Sequence, residues 1–213
     1  MLTLEAFKRQ ADPSIMLLEA LNENGERQGT GTGFVITKDG LLLTCAHVVR
    51  GASGIRARLY CPGMPGGDTR WFDCDILDPI QQDIDMAMVK IRDGANFTPL
   101  SLRAKDDPAV VGEGMILIGY PLPHLLDKDY SRVKSVMYVG TVGSIQKPDT
   151  NEEKHIIQCE GKRGQSGSPI FSRSDGTVIG VFDGSDTEGY DGLTEEMNHY
   201  RPIRLFWERM VQN

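Results

Sequence analysis

Three residues of this 213-residue chain have the types needed to activate a nucleophile. Ser166 sits in Gly164-Gln165-Ser166-Gly167-Ser168-Pro169, flanked by small residues that let the chain turn sharply. A serine hydroxyl attacks poorly at neutral pH unless a base takes its proton as it does so. Histidine titrates near neutrality and can take that proton and later return it. His47, in Thr44-Cys45-Ala46-His47, follows the apolar run Leu41–Thr44 and begins a helical turn. Asp85 opens the apolar stretch Met86-Ala87-Met88-Val89 and supplies a carboxylate that could hold the imidazole in one tautomer and stabilise its cation. Asp83 would share a strand face with Asp85 and is the alternative acid, although a turn or surface carboxylate is its ordinary reading. His124, in a proline-flanked loop, His155, at the start of a strand, and His199, in a polar segment, read as structural or surface histidines.

Positions 47, 85 and 166 are far apart in sequence, so a fold with many reversals must bring them together. Short apolar or alternating segments recur: Ser14 to Leu21, Gly33–Thr37, Leu41–Thr44, Gly54–Tyr60, Trp71–Leu77, Asp85–Ile91, Met115–Gly119, Ser135–Gln146, His155–Cys159, Pro169–Ser172 and Thr177–Asp183. Turn signals separate them, among them Asn22-Glu23-Asn24-Gly25 and the tight Lys38-Asp39-Gly40. Short strands at regular spacing predict an all-β sandwich or barrel. Residues 1–13 read as a short helix or an arm ending at Pro13. Pro202 to Val211 reads as an amphipathic helix, with Ile203, Phe206, Trp207 and Met210 at helical spacing.

The order His47, Asp85, Ser166, in these contexts, resembles the trypsin-like serine peptidases, and among them the bacterial HtrA-type and glutamyl-endopeptidase branches. Gly31-Thr32-Gly33-Phe34-Val35-Ile36, the run Gly112–Pro121 and Val178-Ile179-Gly180-Val181 resemble family strands as well. The resemblance implies a chymotrypsin-like fold of two six-stranded antiparallel β-barrels with a C-terminal α-helix. A single domain is expected over residues 1–213, with the first barrel at about 14–105 and the second at about 106–200. The division would fall at Leu102-Arg103-Ala104-Lys105-Asp106-Asp107-Pro108. The activity implied is that of a serine endopeptidase acting on proteins or peptides, with His47, Asp85 and Ser166 as triad and the amides of Gly164 and Ser166 as oxyanion hole. By the same mapping Glu160, six residues before the nucleophile, would lie at the base of the primary specificity pocket and Asp183 at its wall. Together they would favour a basic residue. Phe182 stands where glutamyl endopeptidases carry a substrate-reading histidine, so cleavage after glutamate is not expected. Without an Ile-Val-Gly-Gly type start, activation by a new amino terminus is not expected, and neither is a substrate-binding module of the PDZ kind. A domain held latent until an activating protein partner binds, or a pseudoenzyme that only binds peptides, is the alternative reading.

Composition narrows the partners. The formal charge of −7 argues against nucleic acid or an anionic membrane. The start of the chain lacks an apolar signal core, and no stretch is long enough to span a bilayer. Cys45, Cys61, Cys74 and Cys159 form no Cys-x-x-Cys pair, so neither a metal site nor a cofactor is expected. They read as free thiols, which with the missing signal predicts a cytoplasmic, bacterial-type domain. Gly29-x-Gly31-x-Gly33 precedes a strand and hairpin rather than a helix and is not a dinucleotide fingerprint. Asp183 to Asp191 lacks calcium-loop spacing and reads as a flexible loop at the substrate rim, and Pro62–Gly67 as a surface loop.

Overall fold

The computed structural model describes residues 3–60, 69–93, 96–126, 130, 132–147, 153–190 and 193–210. Strands β1 (Ile15–Leu21), β2 (Arg27–Val35), β3 (Leu41–Thr44), β4 (Gly54–Tyr60), β5 (Thr69–Gln81) and β6 (Met86–Ile91) close into one antiparallel barrel in the order β1-β2-β3-β6-β5-β4. Strands β7 (Gly114–Gly119), β8 (Val136–Gln146), β9 (Lys154–Gln158), β10 (Pro169–Ser172), β11 (Val178–Tyr190) and β12 (Leu193–Pro202) close a second in the order β10-β11-β12-β9-β8-β7. Closure leaves neither sheet with a full-length open edge. The expected two-barrel, all-β architecture is therefore the one observed.

Sequence pattern explains why these segments pair. β1 is buried up to its last residue because β2 and β4 flank it on both sides. Ile15, Leu17, Phe34, Leu42 and Val89 are fully buried in the first core, each contributing on the order of 1.5–3 kcal/mol by removal from water. That core continues across the barrel junction to Tyr120, Phe171 and Val181, which lie on the second barrel or its loops. A smaller core of Met115, Leu117, Ile157, Ile170 and Phe182 fills the second barrel.

Helices occupy the margins. α1 (Leu4–Ala11) starts at Thr3, whose side chain accepts the Ala6 amide, and docks Phe7 edge-on against Phe171. α2 (Ala46–Val49) is one turn directly after β3, and α3 (Pro123–Leu126) follows β7. α4 (Ile203–Met210) buries Ile203, Leu205 and Phe206, while Trp207 Nε1 donates to the Arg103 carbonyl at 2.9 Å. Val211 lies outside the described residues, as do Cys61 and the stretch Pro62–Gly67.

One expectation needs correcting. Residues 183–190 are not a loose rim loop: β11 runs on to Tyr190 and pairs with β12, a strand the sequence pattern did not suggest. The segment is rich in Gly, Asp and Ser, types poorly suited to strands, but cross-strand backbone pairing holds it. Asp191 lies outside the described residues.

Candidate active site

β3 runs apolar into Thr44, and the chain turns at Cys45 into α2, so His47 sits at the barrel junction with its ring about two-fifths exposed. Asp85 ends a short 3-10 turn (Gln82–Ile84) with φ +49°, ψ +45°. Asp is one of the few non-glycine residues that visit this left-handed region readily. The conformation aims the carboxylate back at α2. Its Oδ2 lies 2.6 Å from His47 Nδ1, its Oδ1 accepts the His47 amide at 2.9 Å, and its carbonyl accepts the Ala46 amide at 3.1 Å. Three contacts thus fix imidazole and carboxylate against each other. Asp83 points elsewhere, pairing with Arg209 at 2.9 Å.

Ser166 comes from the loop before β10. Its hydroxyl donates to the Asp183 carbonyl at 3.3 Å and, among the described residues, makes no hydrogen bond to His47. The loop is tightly wound. Gln165 N donates to Lys162 O at 3.1 Å and Gly167 N to Phe182 O at 2.8 Å, whereas the amides of Gly164 and Ser166 have no acceptor among the described residues. Gly164 and Gly167 adopt φ +92° and +86°, conformations open to glycine.

Thr32, absent from the sequence reading as a functional residue, links the two halves. Fully buried in β2, it donates its amide to Ser166 O at 2.8 Å and its hydroxyl to Gly164 O at 2.9 Å. The same hydroxyl accepts the Tyr120 amide at 3.1 Å, and the Thr32 carbonyl accepts Thr44 Oγ1 at 2.7 Å. One residue therefore ties the serine loop of the second barrel to β3, the strand that leads into the His47 helical turn. The sequence signal was only its place between Gly31 and Gly33. Gly31 is needed because a Cβ there would come within 2.6 Å of Val48 in α2.

Glu160 and Asp183, the residues expected in a specificity pocket, have different surroundings. Glu160 is exposed and 3.7 Å from Lys162 Nζ. The backbone of its neighbour Gly161 is pressed inward, where a Cβ would meet Asn198 Oδ1 at 2.3 Å and the Phe182 ring at 2.4 Å. Asp183 is the extra residue of a β-bulge, since Phe182 faces Tyr200 and Gly184 faces His199. Bulges re-aim side chains, and this one turns the Asp183 carboxylate inward, within 4.8 Å of Asp85. There it pairs with Arg201 Nε at 2.7 Å and lies 3.4 Å from His199 Nδ1. His199 itself is buried, with its Nε2 3.3 Å from Asp186.

Charge and burial set the titration of the site. Burial alone would lift Asp183, but the His199 imidazole beside it and the charge of Arg201 hold it well below the usual carboxylate range. Burial alone would lower His47, yet the Asp85 hydrogen bond and the charges of Asp85 and Asp183 outweigh it and raise the imidazole above 6.5. Burial, then the Asp85 and Asp183 charges, push the Cys45 thiol far up. Burial likewise raises Cys74 to about 12 and Cys159 to about 11. These three cysteines are free.

Two closed six-stranded barrels, with an imidazole–carboxylate pair from the first and a glycine-bracketed serine from the second, define the chymotrypsin-like class of fold. The chain belongs to the trypsin-like peptidase domain family, whose model matches residues 31–181. It is 31% identical over 158 residues to the mitochondrial serine protease HTRA2 of Bos taurus, covering 71% of this chain and 30% of that protein. Protease Do-like 1, chloroplastic, of Arabidopsis thaliana is 31% identical over 158 residues, covering 72% and 33%. The chain thus spans about a third of the length of these relatives. Among solved structures, an HtrA-type protease bound to a tripeptide superposes with TM-score 0.76 at 19% identity, covering 99% of this chain and 63% of that one. The inactive form of the Rv3671c protease superposes with TM-score 0.71 at 20% identity, covering 97% and 91%.

Proposed function

We propose that the chain is a serine endopeptidase with Ser166 as nucleophile, His47 as general base and Asp85 as the group that orients it. The observation that carries this reading is the 2.6 Å contact of His47 Nδ1 with Asp85. It keeps the proton on Nδ1 and leaves Nε2 as the acceptor for the serine proton. Ser166 Oγ attacks the scissile carbonyl, His47 takes the hydroxyl proton and passes it to the leaving amine, and water then releases the acyl group by the same route in reverse. The uncommitted amides of Gly164 and Ser166 are the proposed donors to the oxyanion, where charge develops only as the tetrahedral intermediate forms.

The substrate is a protein or peptide. β10 covers β11 only as far as Val181, so the facing edge of β11 beyond Gly184 can take an extended chain by strand addition. A basic-residue preference would rest on Glu160, since Asp183 is committed to Arg201. The free thiols suit a cytoplasmic setting.

A second reading has its own support. Ser166 Oγ is turned to the Asp183 carbonyl, which favours a latent domain whose hydroxyl swings to His47 when substrate or an activating partner binds. Fluorophosphonate labelling of the purified chain, read by intact mass beside Ser166→Ala and His47→Ala, separates the readings. Stoichiometric label on wild type, absent from Ser166→Ala and slowed by at least about 10³-fold in His47→Ala, is expected of the peptidase. No label on wild type defeats constitutive activity and leaves latency.

A further inference from the structure

Cys45 Sγ, a ring nitrogen of His47 and one carboxylate oxygen each from Asp85 and Asp183 all lie within 4.8 Å of one another. We propose that these four atoms form an inhibitory site for a borderline-soft divalent cation, with Zn2+ the best fit. The inhibitory consequence rests on His47 being the general base; the binding itself does not.

The donor set selects the metal. One sulfur, one imidazole nitrogen and two carboxylate oxygens suit zinc in tetrahedral coordination. Calcium and magnesium want six or more oxygens and fit poorly. Zinc bonds of about 2.0–2.3 Å place tetrahedral ligands roughly 3.3–3.7 Å apart. The four atoms lie within 4.8 Å of one another, so ligation requires the wider pairs to close up and the His47 Nδ1–Asp85 pair, at 2.6 Å, to open by about 1 Å.

Charge argues the same way. Two carboxylates face each other here with one directly bonded cation, Arg201, on the Asp183 side. On binding, Cys45 loses its proton to solvent and becomes a thiolate. The dication then meets three negative ligand charges, with Arg201 behind Asp183. The thiol loses only a weak donation to the Phe182 carbonyl at 3.2 Å, and bonding to the cation must offset the cost of deprotonating a buried sulfur. Supporting contacts are in place: Arg201 holds Asp183, and the amides of Ala46 and His47 hold Asp85. Only residue pair 45 and 47 is close in sequence, which is why ligand spacing does not reveal the set.

The consequence for the base is a switch of tautomer. A neutral imidazole that gives its Nδ1 lone pair to zinc carries its proton on Nε2. That nitrogen can no longer accept the proton of Ser166. Zinc would therefore stop the reaction without covering the substrate groove, and a chelator would restore it.

The test uses the reduced, metal-free full chain. Co2+ is titrated first, following the near-ultraviolet thiolate-to-cobalt charge-transfer band, and Zn2+ is then used to displace it. Separately, the fluorophosphonate labelling rate is measured with Zn2+ and again after EDTA. Expected are a one-to-one cobalt complex with the thiolate band and displacement by zinc. The band should be lost in Cys45→Ala, with zinc affinity at least about 100-fold weaker there and at least about tenfold weaker in Asp183→Asn. Inhibition, expressed against each variant's own zinc-free rate, should weaken by the same factors. Circular dichroism checks that each variant folds, and Asp183→Asn keeps the test decisive if Cys45→Ala does not. No thiolate band in folded wild type, a band that persists in Cys45→Ala, or zinc inhibition unchanged in both variants overturns the proposal. The cobalt spectrum needs no turnover, so failure of the peptidase assignment, seen as no label without metal, is distinguishable from failure of the metal site.

Discussion

The carboxylate of Asp183 is held by Arg201 Nε at 2.7 Å, across the barrel strands β11 and β12. That ion pair keeps a second negative charge beside the His47–Asp85 dyad. Burial works against a charged imidazole, but Asp85 and then Asp183 more than compensate, so His47 titrates above 6.5. A general base must be neutral to act, so a raised value moves the onset of activity upward in pH. The acid limb of kcat/KM in chelator-treated enzyme is expected above 6.5. Removing one of the two charges in Asp183→Asn should shift that limb toward lower pH. A pH–rate profile checks both, and an unmoved limb would show that Asp183 does not act on His47.

Thr32 makes a second prediction. Its hydroxyl is the only tie, among the described residues, that both accepts from the Tyr120 amide and donates to Gly164 O. Thr32→Val keeps the shape and strands both partners, at a cost of about 1–3 kcal/mol. Because Gly164 is one of the proposed oxyanion donors, the labelling rate at Ser166 should fall roughly 10- to 100-fold. Thr32→Ser, which retains the hydroxyl, should recover most of both losses. Thermal melts and labelling kinetics measured on the same samples give the comparison.

Gly167 is constrained more severely. At φ +86° an added Cβ would sit 2.0 Å from the Thr32 carbonyl and 2.3 Å from Thr44 Oγ1. Both atoms are on strands that have nowhere to move. Gly167→Ala should cost more than about 2 kcal/mol from the left-handed backbone and the clash together. That corresponds to a drop of roughly 4–8 °C or more in Tm for a chain of this size. Labelling should fall with it, since the clash displaces the peptide that follows Ser166. A melting temperature within a degree of wild type would contradict the packing described.

These predictions draw on contacts of differing visibility in the sequence. The barrels were legible because β1, β3, β7 and β10 are mostly apolar runs and β4 alternates apolar and polar residues, all between strong turn signals. Their partners are fixed once both edges must be covered. Asp85 was distinguishable from Asp83 only by its apolar successor; what separates them physically is the left-handed conformation that follows the 3-10 turn. The bulge at Asp183 was not legible. It exists because β12 pairs with β11 out of step by one residue, and β12 itself is composed of polar and charged residues such as Glu195, Glu196, Asn198 and His199. Without that strand, Arg201 and His199 had no visible partner, and the closeness of Asp183 to Asp85 was not legible.

Glu160 provides the sharpest test of substrate choice. A buried carboxylate could discriminate a substrate lysine or arginine strongly, whereas this one is 72% exposed and already 3.7 Å from Lys162. An exposed ion pair contributes about 0–1 kcal/mol, which limits the preference for basic over alanine or leucine peptides to within about fivefold. Glu160→Gln should abolish even that, and raising the salt concentration should erode it in wild type. Peptides differing only in the residue before the scissile bond, compared by kcat/KM, measure the ratio directly. A preference of 100-fold or more that vanishes in Glu160→Gln would mean that the side chain leaves Lys162 and turns inward when substrate binds.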